Sequence, residues 1–422
     1  MYISQKTARI TGRDILEILI NEENIVFEVT DACNLKCKYC IYGEFYSGFD
    51  KREDQNMTFE TAKAVIDYFD DLWKKSPIPS HAEKPITIFS FYGGEPLLNM
   101  RLIEEVISYI EAKHMNRRIQ FAMTSNCLLL DKYMDYLAEK DIALLASLDG
   151  NESENGYRVR KDGSSSFKKV FGNIKLLQEK YPEYFERQVM FNAVIHSKNS
   201  LSSVYHFIKE NFNKVPFFSE VNSFGVKKEK IAEFNKTYKN YYEELHQDEN
   251  YEEIVDGMFE KAPEVKGMFA YIEAMTDNIY EDYSSLLYSD CEINTIPTST
   301  CLPFSKKVFV KVDGKILPCE RIHHKYSFGS VTEGKVIMDV NAVAAQFNSY
   351  LDKMQDSCSK CFRKNLCIQC IYNLDTDSEK PRCYGFMNSV KYDKYKKEFE
   401  SFIKTHPEAY KKAIEESIIE ND

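Results

Sequence analysis

"DACNLKCKYC", residues 31–40, places Cys33, Cys37 and Cys40 within eight residues, directly after the apolar run "IVFEVT" at 25–30. Branched and aromatic side chains at that density predict a buried strand, so the three thiols stand at a strand's carboxyl end. A structural zinc site closes with four ligands. Residues 31–45 hold no histidine and no fourth cysteine. Three thiolates instead suit three corners of a four-iron cluster whose fourth iron stays open to another ligand.

Outward from this stretch the chain alternates. "FETAKAVIDYFDDLWKK", 59–75, predicts an amphipathic helix with Thr58 as its N-cap. Strands are expected at 86–92, 118–126, 142–150, 189–196 and 217–224, with helices at 98–114, 131–140, 167–181 and 200–213 between them. Six strands alternating with helices predict an α/β fold on a parallel sheet, either open or curved into a partial barrel. Both arrangements gather chemistry at the carboxyl ends of the strands. "GGEP" at 93–96, "TSN" at 124–126, "SLDG" at 147–150 and "NAVIH" at 192–196 all fall there, although each alone reads as well as a turn.

Residues 225–288 read as an acidic, tyrosine-rich helical connector. From 306, "KKVFVKVDGKILPCERI" predicts a hairpin with Asp313 and Gly314 as a two-residue turn, and 390–418 predicts a helix. The expected divisions are an N-terminal segment 1–23, a barrel 24–224, a connector 225–290, a cysteine-rich domain 291–386 and a C-terminal helix 387–422.

The net charge of −11 and pI near 5.4 disfavour a nucleic-acid partner, since an acidic surface repels phosphate. No apolar run reaches the length of a membrane span, and no secretory signal opens the chain. A cytoplasmic location follows as the expectation, where twelve cysteines read as metal ligands rather than disulfides. Eight of the twelve lie between 291 and 383. Eight thiolates fill two four-iron clusters or two zinc sites, and the residues alone leave both open.

Cys33, Cys37 and Cys40, with aromatic Tyr39 before the last, resemble the CxxxCxxC motif of the radical SAM superfamily. The resemblance implies a partial (β/α)6 barrel and an open iron chelated by S-adenosylmethionine, which one electron cleaves to a 5′-deoxyadenosyl radical that abstracts hydrogen from the substrate. "YGGEP" resembles that family's glycine-rich motif, with Gly93 and Gly94 presenting backbone to the methionyl amino group and Glu95 nearby. Ser125 and Asn126 resemble the polar end of strand three. Ser147 and Asp149 resemble the strand-four end that faces ribose and substrate. Arg158, rather than Arg160, would meet the cofactor carboxylate, and Ile195 would lie near the adenine.

The later cysteines resemble the SPASM extension of radical SAM peptide maturases: Cys301, Gly314-x4-Cys319, Cys358-x2-Cys361-x5-Cys367, Cys370 and Cys383. Cys370 follows Cys367 after two residues where that pattern has three. The resemblance implies one auxiliary cluster on Cys358, Cys361, Cys367 and Cys383, and another on Cys301, Cys319 and Cys370 with Cys291 as candidate fourth ligand. With the radical cluster this makes three [4Fe-4S] clusters. Glu320 stands where sulfatase-maturating relatives carry an aspartate base and is the candidate base here; otherwise it is a surface residue of the hairpin. Cys127 reads as a small buried hydrophobe.

The implied activity is modification of a ribosomally made precursor peptide, by a thioether or carbon–carbon crosslink. An electron donor such as flavodoxin or ferredoxin is the implied partner. Cys33 leaves no room before it for a precursor-binding domain, so leader recognition would use the barrel, the connector or a separate leader-binding protein. Two rivals stand beside this reading: an anaerobic sulfatase-maturating enzyme that makes formylglycine, and an inactive zinc-binding interaction protein.

Overall fold

The computed structural model describes residues 9–75, 84–258, 268, 272, 301–364, 367, 369–374, 376–379, 381–408 and 410–411. The chain divides into two compact units. One comprises 13–254 with 302–340; the other comprises 1–12, 255–301 and 341–422.

The first unit is built on a sheet of ten strands among the described residues. Six run parallel in sequence order: β1 (Asn24–Thr30), β2 (Ile86–Gly93), β3 (Arg118–Ser125), β4 (Ala143–Ser147), β5 (Val189–Ile195) and β6 (Phe217–Glu220). Every residue of β1 after Asn24 is buried, as expected of a central parallel strand covered on both faces. On its other edge β1 pairs with β7 (Val308–Val310), also parallel. Antiparallel β8 (Lys315–Leu317), β9 (Gly329–Thr332) and β10 (Lys335–Ile337) continue the sheet. The hairpin therefore extends the same sheet that carries the first cysteines.

The helices α1 (Gly12–Ile20), α2 (Phe59–Lys75), α3 (Met100–Lys113), α4 (Leu130–Glu139), α5 (Phe167–Lys180), α6 (Pro182–Gln188) and α7 (Leu201–Phe212) precede or connect the parallel strands. α2 has the predicted limits, and the Thr58 hydroxyl accepts from the Thr61 N–H at 3.2 Å as its N-cap. It buries Val65, Ile66, Phe69 and Trp73 on one stripe. The connector continues in short helices α8 (Ile231–Asn235), α9 (Tyr241–His246) and α10 (Tyr251–Met258); its remainder lies outside the described residues.

Several boundaries differ from expectation. The segment before β1 holds α1. Pro182 starts a separate helix after α5, since proline suits the first helical turn and disfavours helix at the residue before it. β4 stops at Ser147, and β6 at Glu220. The hairpin turn is a three-residue loop: the Gly314 N–H reaches Lys311 O at 2.9 Å, Lys311 N–H reaches Lys315 O at 2.8 Å, and Gly314 alone takes positive φ (+82°). A type I turn closed by a left-handed glycine produces this pattern, whereas a two-residue turn with both φ positive does not.

The second unit contributes α11 (Val340–Ser359, with its first residue in the sheet unit) and α12 (Ser389–Thr405). α12 ends at Thr405, where the helix expected over 390–418 breaks at His406 ahead of Pro407; Pro407 and Glu408 are helical again, and residues after 411 lie outside the described part. Arg9 pairs with Asp352, and the Asn348 side chain brackets the Ile10 backbone at 3.1 and 2.7 Å, so the chain's start is tied to α11.

Candidate metal centre

The loop after β1 carries Cys33, Cys37 and Cys40, each partly exposed. Donors converge on their sulfurs. Leu35 N–H lies 3.5 Å from Cys33 Sγ, Asn126 Nδ2 lies 3.8 Å from it, and Arg52 Nη2 lies 3.5 Å from Cys40 Sγ. Asn34 Nδ2 and Arg52 Nε are buried without a partner. Burial pushes the Cys33 thiol up and the Cys37 thiol up to about 12, so both stay protonated at neutral pH until a metal displaces the proton. Thiols ringed by unused donors fit a sulfur-rich anionic cluster. Among the described residues no three His, Cys, Asp or Glu side chains converge tightly enough for a single ion. Ligands that each take a different iron of one cluster need no such convergence.

The ends of β2 and β3 close around this loop. Gly93 has φ +145°, and a Cβ there would stand 2.1 Å from Thr30 O; at Gly94 it would stand 2.0 Å from Ala32 O. Glycine is required here because the β2 end packs on backbone leading into the cysteines. Glu95 is buried and accepts from Ser125 Oγ (2.7 Å), Asn126 N–H (2.8 Å) and Leu97 N–H (3.2 Å). Asn126 in turn donates to Asn34 Oδ1 at 2.8 Å. "GGEP", "TSN" and the cysteine loop are thus one connected structure.

The ends of β4 and β5 add a second network. The Tyr39 hydroxyl donates to Asp149 Oδ2, and Arg158 Nη1 donates to the Tyr39 oxygen at 2.9 Å. Val194 N–H reaches Asp149 Oδ1 at 3.0 Å, and His196 Nε2 lies 3.5 Å from Oδ2. The His196 ring stacks on Tyr39 with centroids 5.5 Å apart. Burial acts to raise the Asp149 carboxyl, but Arg158 and His196 outweigh it and hold it below the usual range. The turn at 148–150 ends β4 so that this carboxylate can point inward. Ser147 is the last residue of β4 and pairs with Asn192. Ile195 ends β5 with no exposed surface.

Glu320 follows Cys319 after β8, and its carboxylate is 3.1 Å from Lys307 Nζ. Burial opposes its ionisation; Lys307 and Arg321 override burial and hold it low. Cys127 is wholly buried at φ +61°, as a small core residue. In the second unit, Cys361, Cys367 and Cys383 each oppose ionisation of Cys358, which together with burial rises to about 12, and Cys301 acts on Cys370. Cys319 belongs to the sheet unit. Cys291 lies outside the described residues.

Sequence reasoning passed over Glu28, Tyr42 and Arg52, and marked His196 only as the last residue of the strand-end stretch 192–196. Glu28 had a signal, a lone charge inside an apolar strand. Arg52 had none, because its loop lacks any periodicity.

Residues 27–210 match the radical SAM superfamily, and residues 301–362 match SPASM, an iron–sulfur cluster-binding domain. The chain is 26% identical to the radical SAM cyclopropyl synthase TigE of Paramaledivibacter caminithermalis, over 40% of this chain and 34% of that protein. It is 24% identical to a cysteine-type anaerobic sulfatase-maturating enzyme of Clostridium perfringens, over 81% of this chain and 86% of that one. The chain thus spans about a third of the first relative's length and most of the second's. A solved structure, native anSMEcpe with bound AdoMet and Kp18Cys peptide, superposes with a TM-score of 0.61 at 18% identity over 92% of this chain and 98% of that one, and so shares the fold. The SPASM match takes in Cys301, Cys319, Cys358 and Cys361 and favours iron–sulfur binding over zinc for that stretch. No helix among the described residues is long and apolar enough to cross a membrane.

Proposed function

For a chain that carries a radical SAM domain followed by a SPASM domain, and is an enzyme of that chemistry, we propose that it modifies a precursor peptide by abstracting hydrogen and forming a thioether or carbon–carbon crosslink. The observation that carries this reading is the joined site itself. Three cysteines, the "GGEP" clasp through Glu95 and the Tyr39–Asp149–Arg158 network meet at the carboxyl ends of β1 to β5. S-Adenosylmethionine, bound at an open iron, would supply a 5′-deoxyadenosyl radical. The protein's own groups hold the thiols, orient the loop and exclude water. Cys33, Cys37 and Cys40 would hold the radical cluster. Cys358, Cys361, Cys367 and Cys383 would hold one auxiliary cluster; Cys301, Cys319 and Cys370, with Cys291 as candidate fourth ligand, would hold the other.

A second reading, formylglycine formation, is favoured by the sulfatase-maturating relative that spans most of the chain. Glu320 would be the base. Its carboxylate lies 3.1 Å from Lys307 Nζ.

Iron and sulfide content after anaerobic reconstitution is the first test, on wild type and the Cys33/Cys37/Cys40→Ala variant. About twelve irons falling to about eight supports one radical and two auxiliary clusters. About four falling to none overturns the auxiliary clusters. Mass spectrometry of cysteine-bearing peptides then separates the chemistries. A product lighter by two hydrogens marks a crosslink. Loss of two hydrogens with sulfur exchanged for oxygen marks formylglycine and sinks the first reading.

A further inference from the structure

We propose that Arg52 is a positioning residue that holds its cation against Cys40 and raises the reduction potential of the cluster bound there. This rests on the reading of Cys33, Cys37 and Cys40 as cluster ligands. Arg52 Nη2 stands 3.5 Å from Cys40 Sγ. Its guanidinium carbon lies 4.5 Å over the Tyr42 ring, within cation–π range. The Tyr42 hydroxyl donates to Glu28 Oε1 at 2.6 Å, and Glu28 Oε2 accepts from Val312 N–H at 3.0 Å. Glu28 has no exposed surface and sits in the central strand. A buried carboxylate therefore fixes the ring, and the ring fixes the guanidinium.

Arg52 is not held by a carboxylate of its own. Among the described residues none comes within 4 Å of it, and its buried Nε has no acceptor. A guanidinium half-buried beside thiols, with a donor unused, is costly unless something anionic lies against it. A four-iron cluster with three thiolates is such an anion. Reduction adds one negative charge to it, and a fixed cation with an N–H aimed at a ligating sulfur stabilises the reduced form more than the oxidised form. The rigid fork matters beyond the charge, so lysine replaces it only in part.

The test is a potentiometric titration of the reconstituted holoenzyme with dithionite, followed by electron paramagnetic resonance with and without S-adenosylmethionine. The signal that responds to the cofactor isolates this cluster from the others. Arg52→Gln is expected to keep full iron content and move the midpoint of that signal to lower potential, with Arg52→Lys between it and wild type. Tyr42→Phe removes only the hydroxyl that Glu28 holds and should give a smaller displacement in the same direction. An unchanged midpoint in Arg52→Gln at full iron content overturns the proposal. If Arg52→Gln fails to assemble the cluster, unchanged midpoints in both Arg52→Lys and Tyr42→Phe overturn it. A wild-type enzyme with no cofactor-responsive signal would instead remove the cluster reading beneath it.

Discussion

Gly94 fixes how closely the "GGEP" loop can approach the cysteines. A methyl group there would stand 2.0 Å from Ala32 O and 2.6 Å from Asp31 O, both backbone atoms that cannot swing aside. Gly94→Ala should cost about 1–3 kcal/mol, the range for forcing extra volume into a packed site, read from urea unfolding of the metal-free protein. An unchanged midpoint would mean the loop is looser than described. Asp149→Asn tests the other network. It preserves shape but leaves Arg158 buried without its countercharge, at an expected cost of about 3–5 kcal/mol. The folded Asp149 carboxyl is held low, so its stabilisation is complete above the ordinary carboxylate value of about 4 and is lost as pH falls through the folded value. The gap between wild type and Asp149→Asn should stay constant from neutral pH down to about 5 and narrow only below it. A gap that narrows as pH rises would contradict the assignment. The sequence pointed to both positions, and the structure adds contacts within the chain that the sequence did not indicate. Beside the ligand contact expected of it, Gly94 packs on the backbone of Asp31 and Ala32. Beside the cofactor contact expected of it, Arg158 donates to Tyr39.

Between elements, the clearest device is the cluster joining α2 to α3. Asp67 on α2 receives the Lys113 ammonium at 2.8 Å and the Tyr109 hydroxyl at 2.6 Å from α3, with Lys63 at 2.5 Å one turn before. Burial acts to raise its carboxyl; Lys113, Lys63 and Tyr109 outweigh it and bring it to about 2. The side chain is 32% exposed, so solvent screens much of this. Asp67→Asn should therefore cost only about 1 kcal/mol at neutral pH. That difference should fade as pH falls from about 4 toward 2, because the depressed carboxylate contributes only while ionised. Paired urea titrations at pH 7 and below 4 check it; a gap that grows on acidification refutes it. At this scale the long periodic segments were legible. α2 and the cores of the parallel strands follow directly from side-chain spacing. The misreadings lie at element ends and in short elements: β4 ends early as the chain turns Asp149 inward, and the seven-residue α6 that Pro182 starts was not expected at all.

At the scale of the molecule, the first three cysteines and the Cys358 group lie in different compact units. Cys33, Cys37 and Cys40 belong to the sheet unit, whereas Cys358, Cys361, Cys367 and Cys383 belong to the other. Uneven spacing along the chain separated these two sets, but it grouped Cys319 with the later cysteines, whereas Cys319 lies in the sheet unit. That placement was not visible there, since the hairpin lies nearer the later cysteines in sequence yet pairs with β1. If the second group serves only the fate of the substrate radical, its loss should leave the first group's chemistry in place. A Cys358/Cys361→Ala variant is then expected to keep cofactor cleavage, forming 5′-deoxyadenosine within a few-fold of wild type, while crosslinked peptide falls below detection. The iron lost should be about four per chain, the content of one cluster. Chromatography of the nucleoside product beside mass spectrometry of the peptide reads both quantities in one reaction. Loss of 5′-deoxyadenosine together with the peptide product, in a variant that keeps its remaining iron, would show that the later cysteines support cleavage itself and that the two units do not divide the work.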